Sequence, residues 1–242
     1  AAAMATFMLV HGACTGGWCW EKVTPLLTAN GHRVCAPDLP GLGKDDTPPA
    51  NVTLADNVEK LSRLLDKMDE PVVLVGHSLG GVTISQLAEA RRRKIKALVY
   101  LCALLPTSGK SGKDMTSLEP DTMFRLSRQV SPDGLTYTFA RDKLPALFYA
   151  DVSPEDRYRA MERLRPQPLS ISTTPITLTE DRFGSVPRWY IECTHDNAVR
   201  INLQRLMVKK TPCKVITMEC GHSPFFSNTE ELVEHLEAIA KA

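Results

Sequence analysis

Short apolar runs alternate along most of this chain with stretches whose apolar residues recur at the helical period. That alternation dictates a mostly parallel sheet with helices on both faces, an α/β architecture. Thr6 to Val10, Arg33 to Ala36, Val72 to Val75, Ile95 to Leu101, Arg188 to Cys193 and Lys214 to Met218 read as strands. Trp18 to Ala29 reads as a helix closed by Asn30-Gly31, because glycine takes the left-handed conformation needed just past a helix end. Thr53-Leu54-Ala55-Asp56 is a capping box ahead of Val58, Leu61, Leu64, Leu65 and Met68, which share one helical face. Further helices are expected from the turn after Ser78 to about Ala90, over Val199 to Val208 and over Thr229 to Ala240.

The rhythm breaks between Leu105 and Val186. This third of the chain holds eight of the 17 prolines, lacks clear strands and carries apolar clusters such as Met123-Phe124 and Leu144 to Tyr149. So many aromatics argue against a disordered linker, and the length argues against a bare loop, so a small helical cap on the sheet's carboxyl edge is expected. The expected organisation is therefore a core of residues 4–104 and 187–242 with a cap at 105–186. A single domain of 242 residues is ordinary for an α/β protein.

Composition removes several classes of function. With 29 Lys+Arg against 28 Asp+Glu, the formal charge of +1 lacks the basic excess of a nucleic-acid or acidic-lipid binder. The run Arg91-Arg92-Arg93-Lys94 reads as the solvated end of a helix. The longest uncharged apolar stretch, Ala97 to Leu105, is nine residues, whereas a membrane span needs about 20. Ala1-Ala2-Ala3-Met4-Ala5 has no basic region and no cleavable apolar core, so Met4 is read as the native start, the three alanines as an appended remnant, and the location as cytoplasmic. The seven cysteines show no Cys-x-x-Cys pair and no zinc-like spacing, so most are expected to be reduced and buried, with no metal and no cofactor. Cys193 and His195 are close along the chain, but no metal site is expected there.

Against that background one motif carries chemistry. Gly76-His77-Ser78-Leu79-Gly80 matches G-x-S-x-G, the turn that lifts a serine hydroxyl clear of a sheet. Alone the pattern is weak. Here it follows the apolar strand Pro71-Val72-Val73-Leu74-Val75 and opens a helix carrying Val82, Ile84, Leu87 and Ala88, which is the setting the chemistry requires. Serine at its ordinary pKa is a poor nucleophile and needs a histidine base, in the chain order serine, acid, histidine. Of the histidines beyond Ser78, His235 sits within the last amphipathic helix and His195 comes too early in that order. His222, in Glu219-Cys220-Gly221-His222-Ser223-Pro224 after the last strand, is the expected base.

Asp196, just past a strand's carboxyl end, is the expected orienting acid. Glu192 falls within the strand, Glu219 is too near His222, and Asp38 precedes the serine and reads as structural. Two backbone N–H groups are expected to face the developing oxyanion, those of Ala13 and Leu79. Gly12 lies beside them, where a bulkier residue would misplace the Ala13 donor. His11 reads as a structural loop residue. Gly12 and the cap residues Phe124, Phe139, Leu147, Phe148 and Tyr149 are the candidate pocket lining.

Leu9-Val10-His11-Gly12-Ala13-Cys14-Thr15-Gly16-Gly17-Trp18-Cys19-Trp20, Val75 to Gly81, Tyr190 to Ala198 and Gly221-His222 resemble the α/β-hydrolase superfamily. Within it they are similar to the group of plant methyl esterases, hydroxynitrile lyases and bacterial esterases, including pyrethroid-hydrolysing ones. The resemblance covers both ends of the chain well and the cap poorly. It implies the α/β-hydrolase fold, a triad at Ser78, Asp196 and His222, and an oxyanion hole at Ala13 and Leu79. Lyases of this group resemble one another in having threonine after the first motif's histidine and lysine after the catalytic one. Gly12 and Ser223 stand there in this chain, as in the esterases. Pro37 to Gly43 and Gly221 to Phe225 look more like the bacterial members.

The expected function is a serine carboxylesterase acting on an uncharged, hydrophobic small-molecule ester through an acyl-enzyme on Ser78. No nucleic-acid or membrane partner is expected, and a homodimer is left open. The alternatives are a lyase or lactone-opening enzyme on the same scaffold, and a ligand-binding receptor with slow turnover.

Overall fold

A computed structural model of the chain describes residues 4–242; the three alanines expected to be a remnant lie outside the described residues. The sheet is built from β1 (Thr6–Val10), β2 (Arg33–Cys35), β3 (Val72–His77) and β4 (Ile95–Leu101), joined later in the chain by β8 (Arg188–Cys193) and β9 (Lys214–Met218). Its order is β2-β1-β3-β4-β8-β9, with every pairing parallel. Every residue of β1 and β3 is buried, as a strand covered on both faces must be. After β1 the chain steps outward to β2 and then returns to the other side of β1 as β3. That reversal opens a crevice at the carboxyl ends of β1 and β3, where sheets of this kind bind ligands.

The helices between these strands are α1 (Val23–Ala29), α2 (Leu54–Asp66), α3 (Gly80–Arg91), α9 (Ile201–Lys210), α10 (Pro224–Ser227) and α11 (Thr229–Lys241). α2 starts where the sequence says it should: Thr53 Oγ1 accepts from the Asp56 N–H at 3.2 Å, and Asp56 Oδ2 accepts from the Thr53 N–H at 2.9 Å. α3 ends at Arg91, and Arg92–Lys94 add one tight turn. The expected helix from Trp18 to Ala29 is in fact two pieces, a 3-10 turn at Gly17–Trp20 and α1. Pro25 explains the break. It has no N–H to donate to the Glu21 carbonyl and its ring excludes that carbonyl, so it fits only in the first turn of a helix that starts later.

Between β4 and β8 lie α4 (Gly112–Thr116), α5 (Met123–Ser127), α6 (Leu144–Phe148), α7 (Pro154–Arg163) and α8 (Leu169–Thr173). The segment is not purely helical. β5 (Arg128–Val130), β6 (Thr136–Phe139) and β7 (Gln167–Pro168) form an antiparallel sheet of three strands. Its hairpin turns at Pro132-Asp133-Gly134, where Gly134 has φ +75° and Asp133 Oδ1 accepts from the Leu135 N–H at 3.0 Å. Strands of two to four residues are too short to impose a visible alternation, and β7 ends in a proline.

All seven cysteines are free, and Cys14, Cys19, Cys102, Cys193 and Cys220 are buried. Among the described residues no helix is long and apolar enough to cross a membrane.

Candidate active site

β3 runs directly into Ser78, whose φ of +55° lies in the left-handed region, and α3 begins two residues later. That conformation costs a non-glycine residue about 1–2 kcal/mol, so neighbouring bonds must fix it. They do: the Ser78 N–H donates to Leu101 O at 3.3 Å, and Ser78 O accepts from the N–H groups of Leu104 (2.9 Å) and Gly81 (3.1 Å). The glycines either side of the serine are demanded by close packing. A Cβ at Gly76 would lie 2.8 Å from Ile84 Cδ1, and one at Gly80 2.8 Å from the His11 carbonyl oxygen.

The loop after β1 is brought beside Ser78 by the sheet register, in which Val10 pairs with Gly76. The N–H groups of Ala13 and Leu79 donate to nothing among the described residues, and both residues line the same cavity as Ser78. Two free donors beside a serine hydroxyl are an arrangement that can hold a developing oxyanion. His11 holds this loop. Its Nδ1–H donates to Gly12 O at 2.9 Å and its Nε2 accepts from the Leu39 N–H at 2.9 Å. Complete burial lowers its pKa to about 4, so it stays neutral and keeps that tautomer.

β8 and β9 are neighbours, so the loops leaving their carboxyl ends meet. Asp196 Oδ2 accepts from His222 Nδ1 at 2.7 Å, and Asp196 Oδ1 accepts from the N–H groups of Ala198 (2.7 Å) and Val199 (2.9 Å). Both side chains are buried. A carboxylate that only accepts must receive the Nδ1 hydrogen, which leaves His222 Nε2 with its lone pair. Ser78 and His222 line one cavity, but no hydrogen bond joins Ser78 Oγ to the imidazole, a gap common in unliganded sites.

The competing residues are engaged elsewhere. His195 is exposed, His235 pairs with Glu231 on α11 at 3.1 Å, and Glu192 is bound by Arg205 and Thr217. Asp38 Oδ1 caps the Gly17 N–H at 2.7 Å, a structural role.

His77 and Cys102 are neighbours that motif reasoning does not reach. His77 Nε2 donates to His222 O at 2.6 Å, its Nδ1 has no partner, and burial pushes its pKa well below the ordinary value. Its ring lies 4.6 Å from the His222 ring. Cys102, with φ +35°, sits behind the imidazole with Sγ 3.9 Å from Nδ1, and burial pushes its thiol up to about 12.

Two cavities meet at Ala13 and Ser78. One, narrow, is walled by Gly12, Phe148, Tyr149, His222 and Phe225. The other, also narrow, is walled by Leu79, Phe124, Tyr137, Val199 and Arg128 among others. Of the expected pocket residues, Gly12, Phe124, Phe148 and Tyr149 line these spaces. Phe139 and Leu147 do not; Phe139 packs behind the wall, its ring 5.1 Å from Phe124 and 5.0 Å from Phe148. A larger, open groove of about 600 Å³ between α2 and α3 carries Ser62 and Thr174 but no histidine to act as a base.

This fold and this meeting of a strained serine, free backbone donors and an aspartate-bound histidine define a class, and sequence comparison agrees. The Alpha/beta hydrolase family matches residues 7–235, and the chain belongs to it. It is 36% identical to Methylesterase 2 of Arabidopsis thaliana over 252 residues, covering 97% of this chain and 95% of that one. It is 38% identical to Salicylic acid-binding protein 2 of Nicotiana tabacum over 217 residues, covering 84% of this chain and 83% of that one. The crystal structure of a pyrethroid hydrolase from Sphingobium faniae JZ-2 superposes with a TM-score of 0.90 at 29% identity, covering 99% of this chain and 98% of that one. Within the family the chain is a carboxylic ester hydrolase.

Proposed function

We propose that the protein is a serine carboxylesterase that cleaves uncharged, hydrophobic esters through an acyl-enzyme on Ser78. The observation that carries this is the buried 2.7 Å bond between Asp196 and His222, opening on a cavity that Ser78 shares. In this reading His222 Nε2 takes the Ser78 proton as Oγ attacks the ester carbonyl, and the Ala13 and Leu79 N–H groups hold the oxyanion. Asp196 stabilises the imidazolium. His222 then protonates the departing alcohol, and a water deprotonated by the same imidazole releases the acid from Ser78. The aromatic walls support a hydrophobic substrate.

In the same proposal residues 4–104 and 187–242 form the core and 105–186 a cap over the site. The enzyme is taken to be cytoplasmic and to need no metal, cofactor, nucleic acid or membrane, and a homodimer is compatible with it. A receptor with slow turnover is the second reading, favoured by the likeness to a relative named for binding salicylic acid.

The test is hydrolysis of a short-to-medium p-nitrophenyl ester series by wild type and Ser78→Ala, with an organophosphate label read by mass spectrometry. Turnover and label that both vanish with Ser78 are expected. Unchanged turnover in the variant overturns the mechanism, and a label without turnover means an activated serine whose ester is more specialised, or a ligand-sensing role.

A further inference from the structure

Asp196 and His222 stand on loops that leave different strands, so a bond of 2.7 Å between them requires the two loops to be held at a fixed separation. One short stretch of chain touches both. Asn197, next to Asp196, donates from Nδ2 to Ala146 O at 2.9 Å. Ser223, next to His222, donates from Oγ to Phe148 O at 2.7 Å. Gly221, on the other side of His222, donates its N–H to Asp151 Oδ2 at 2.8 Å. A Cβ at Gly221 would lie 2.8 Å from Asp151 Oδ1, so the carboxylate would have to shift for any larger residue there. The Phe148 ring stacks on the His222 ring at 5.2 Å and 25°, and the His77 ring lies 4.6 Å from it.

We infer that α6 and the turn to Asp151 act as a clamp on the acid–base pair, and that Asp151 is a positioning residue for hydrolysis. It touches no reacting atom in this scheme. Its carboxylate fixes the residue before His222, while the Phe148 carbonyl fixes the residue after it, so the imidazole can neither rotate nor slide along its loop. Asp151 is exposed at the surface, so its loss removes a directional bond from the His222 loop without opening the core. The inference rests on the reading of Ser78, Asp196 and His222 as the triad.

The test compares wild type, Asp151→Ala, Asp151→Asn and Ser223→Ala on one p-nitrophenyl ester, with kcat expressed per organophosphate-titrated active site. Asp151→Ala is expected to lower kcat at least about tenfold, towards the hundredfold that a misplacement of about 1 Å costs, with KM nearly unchanged. Asp151→Asn, which keeps an acceptor oxygen for the Gly221 N–H, should recover most of that loss. Ser223→Ala removes the second tie and should lower kcat in the same manner. A purely structural role would lower the melting temperature and the titratable fraction while leaving kcat per site untouched, and that result overturns the inference. An Asparagine variant as impaired as the alanine one also overturns it. A wild type that neither turns over nor labels at Ser78 refutes the triad reading, and the inference with it.

Discussion

Gly81→Ala is the most exacting small change for this site. A Cβ at Gly81 would stand 2.0 Å from the Leu104 carbonyl oxygen and 3.0 Å from Ala103 Cβ. Carbon approaches a carbonyl oxygen to about 3.3 Å, so the backbones must part by about 1.3 Å. Neither side yields freely. The Leu104 N–H is bound to Ser78 O at 2.9 Å, and the Gly81 N–H to the same oxygen at 3.1 Å. The displacement is therefore passed to the Ser78 turn and to the Leu79 donor. Misplacement by about 1 Å costs roughly a hundredfold, and loss of one oxyanion donor about 3 kcal/mol, so kcat per titrated site should fall about a hundredfold or more. Overpacking of this kind costs about 1–3 kcal/mol of a total stability of about 5–15 kcal/mol, so the variant remains folded. Gly31→Ala is the control: Gly31 has φ +92° and nothing within 4 Å of a Cβ, so it pays backbone strain alone and keeps wild-type kcat. The assay is ester turnover beside a thermal melt. A Gly81→Ala enzyme with turnover within about threefold of wild type would refute the reasoning, since the parting of the backbones would then not reach the site.

Other outcomes follow from the same coordinates. His222→Ala should be nearly as damaging as Ser78→Ala, and Asp196→Asn somewhat less so, measured as kcat on the same ester. Stability should fall in acid. The unfolded chain protonates His11 near its ordinary 6.5, whereas the folded form refuses the proton until about pH 4, so this contribution is complete above 6.5 and lost as pH drops towards 4. At 1.36 kcal/mol per unit the difference is about 3 kcal/mol, and the pH dependence of urea unfolding should flatten in that window in His11→Asn. Thr53→Ala removes a helix cap worth about 1 kcal/mol and should lower the melting temperature by about 2–4 °C, read by circular dichroism.

The core was legible because each of its signals is local. Five-residue apolar runs, the Thr53–Asp56 box and the Gly76–Gly81 turn all lie within one element and its caps. Ser78, Asp196 and His222 were legible as candidates because each follows a strand, so their convergence needs only the sheet order. The Leu105–Val186 segment was not, because its hairpin strands are short and their partners are set by packing. The break between Trp20 and Val23 was available in Pro25, a signal weighed too lightly against the apolar pattern. Cys102 and Asp151 could not be found from spacing at all, and His77 occupies a variable position of the Gly76–Gly80 motif, which gives it no role. What brings them to His222 is side-chain reach across a crevice, and no periodicity encodes that.

The parallel sheet also sets when hydrolytic competence arises during folding. His222 lies 144 residues beyond Ser78 and stands past β9, the edge strand that pairs with β8. This edge joins the sheet through the β4–β8 pairing of Leu98 with Arg188, and such a long-range pairing closes late, after the loop entropy of the intervening chain has been overcome. A nascent chain thus exposes the Ser78 turn well before His222 has been synthesised. Under the proposed mechanism, recovery of turnover on refolding should therefore lag the burial of β1, β3 and β4 until the β8–β9 edge has docked.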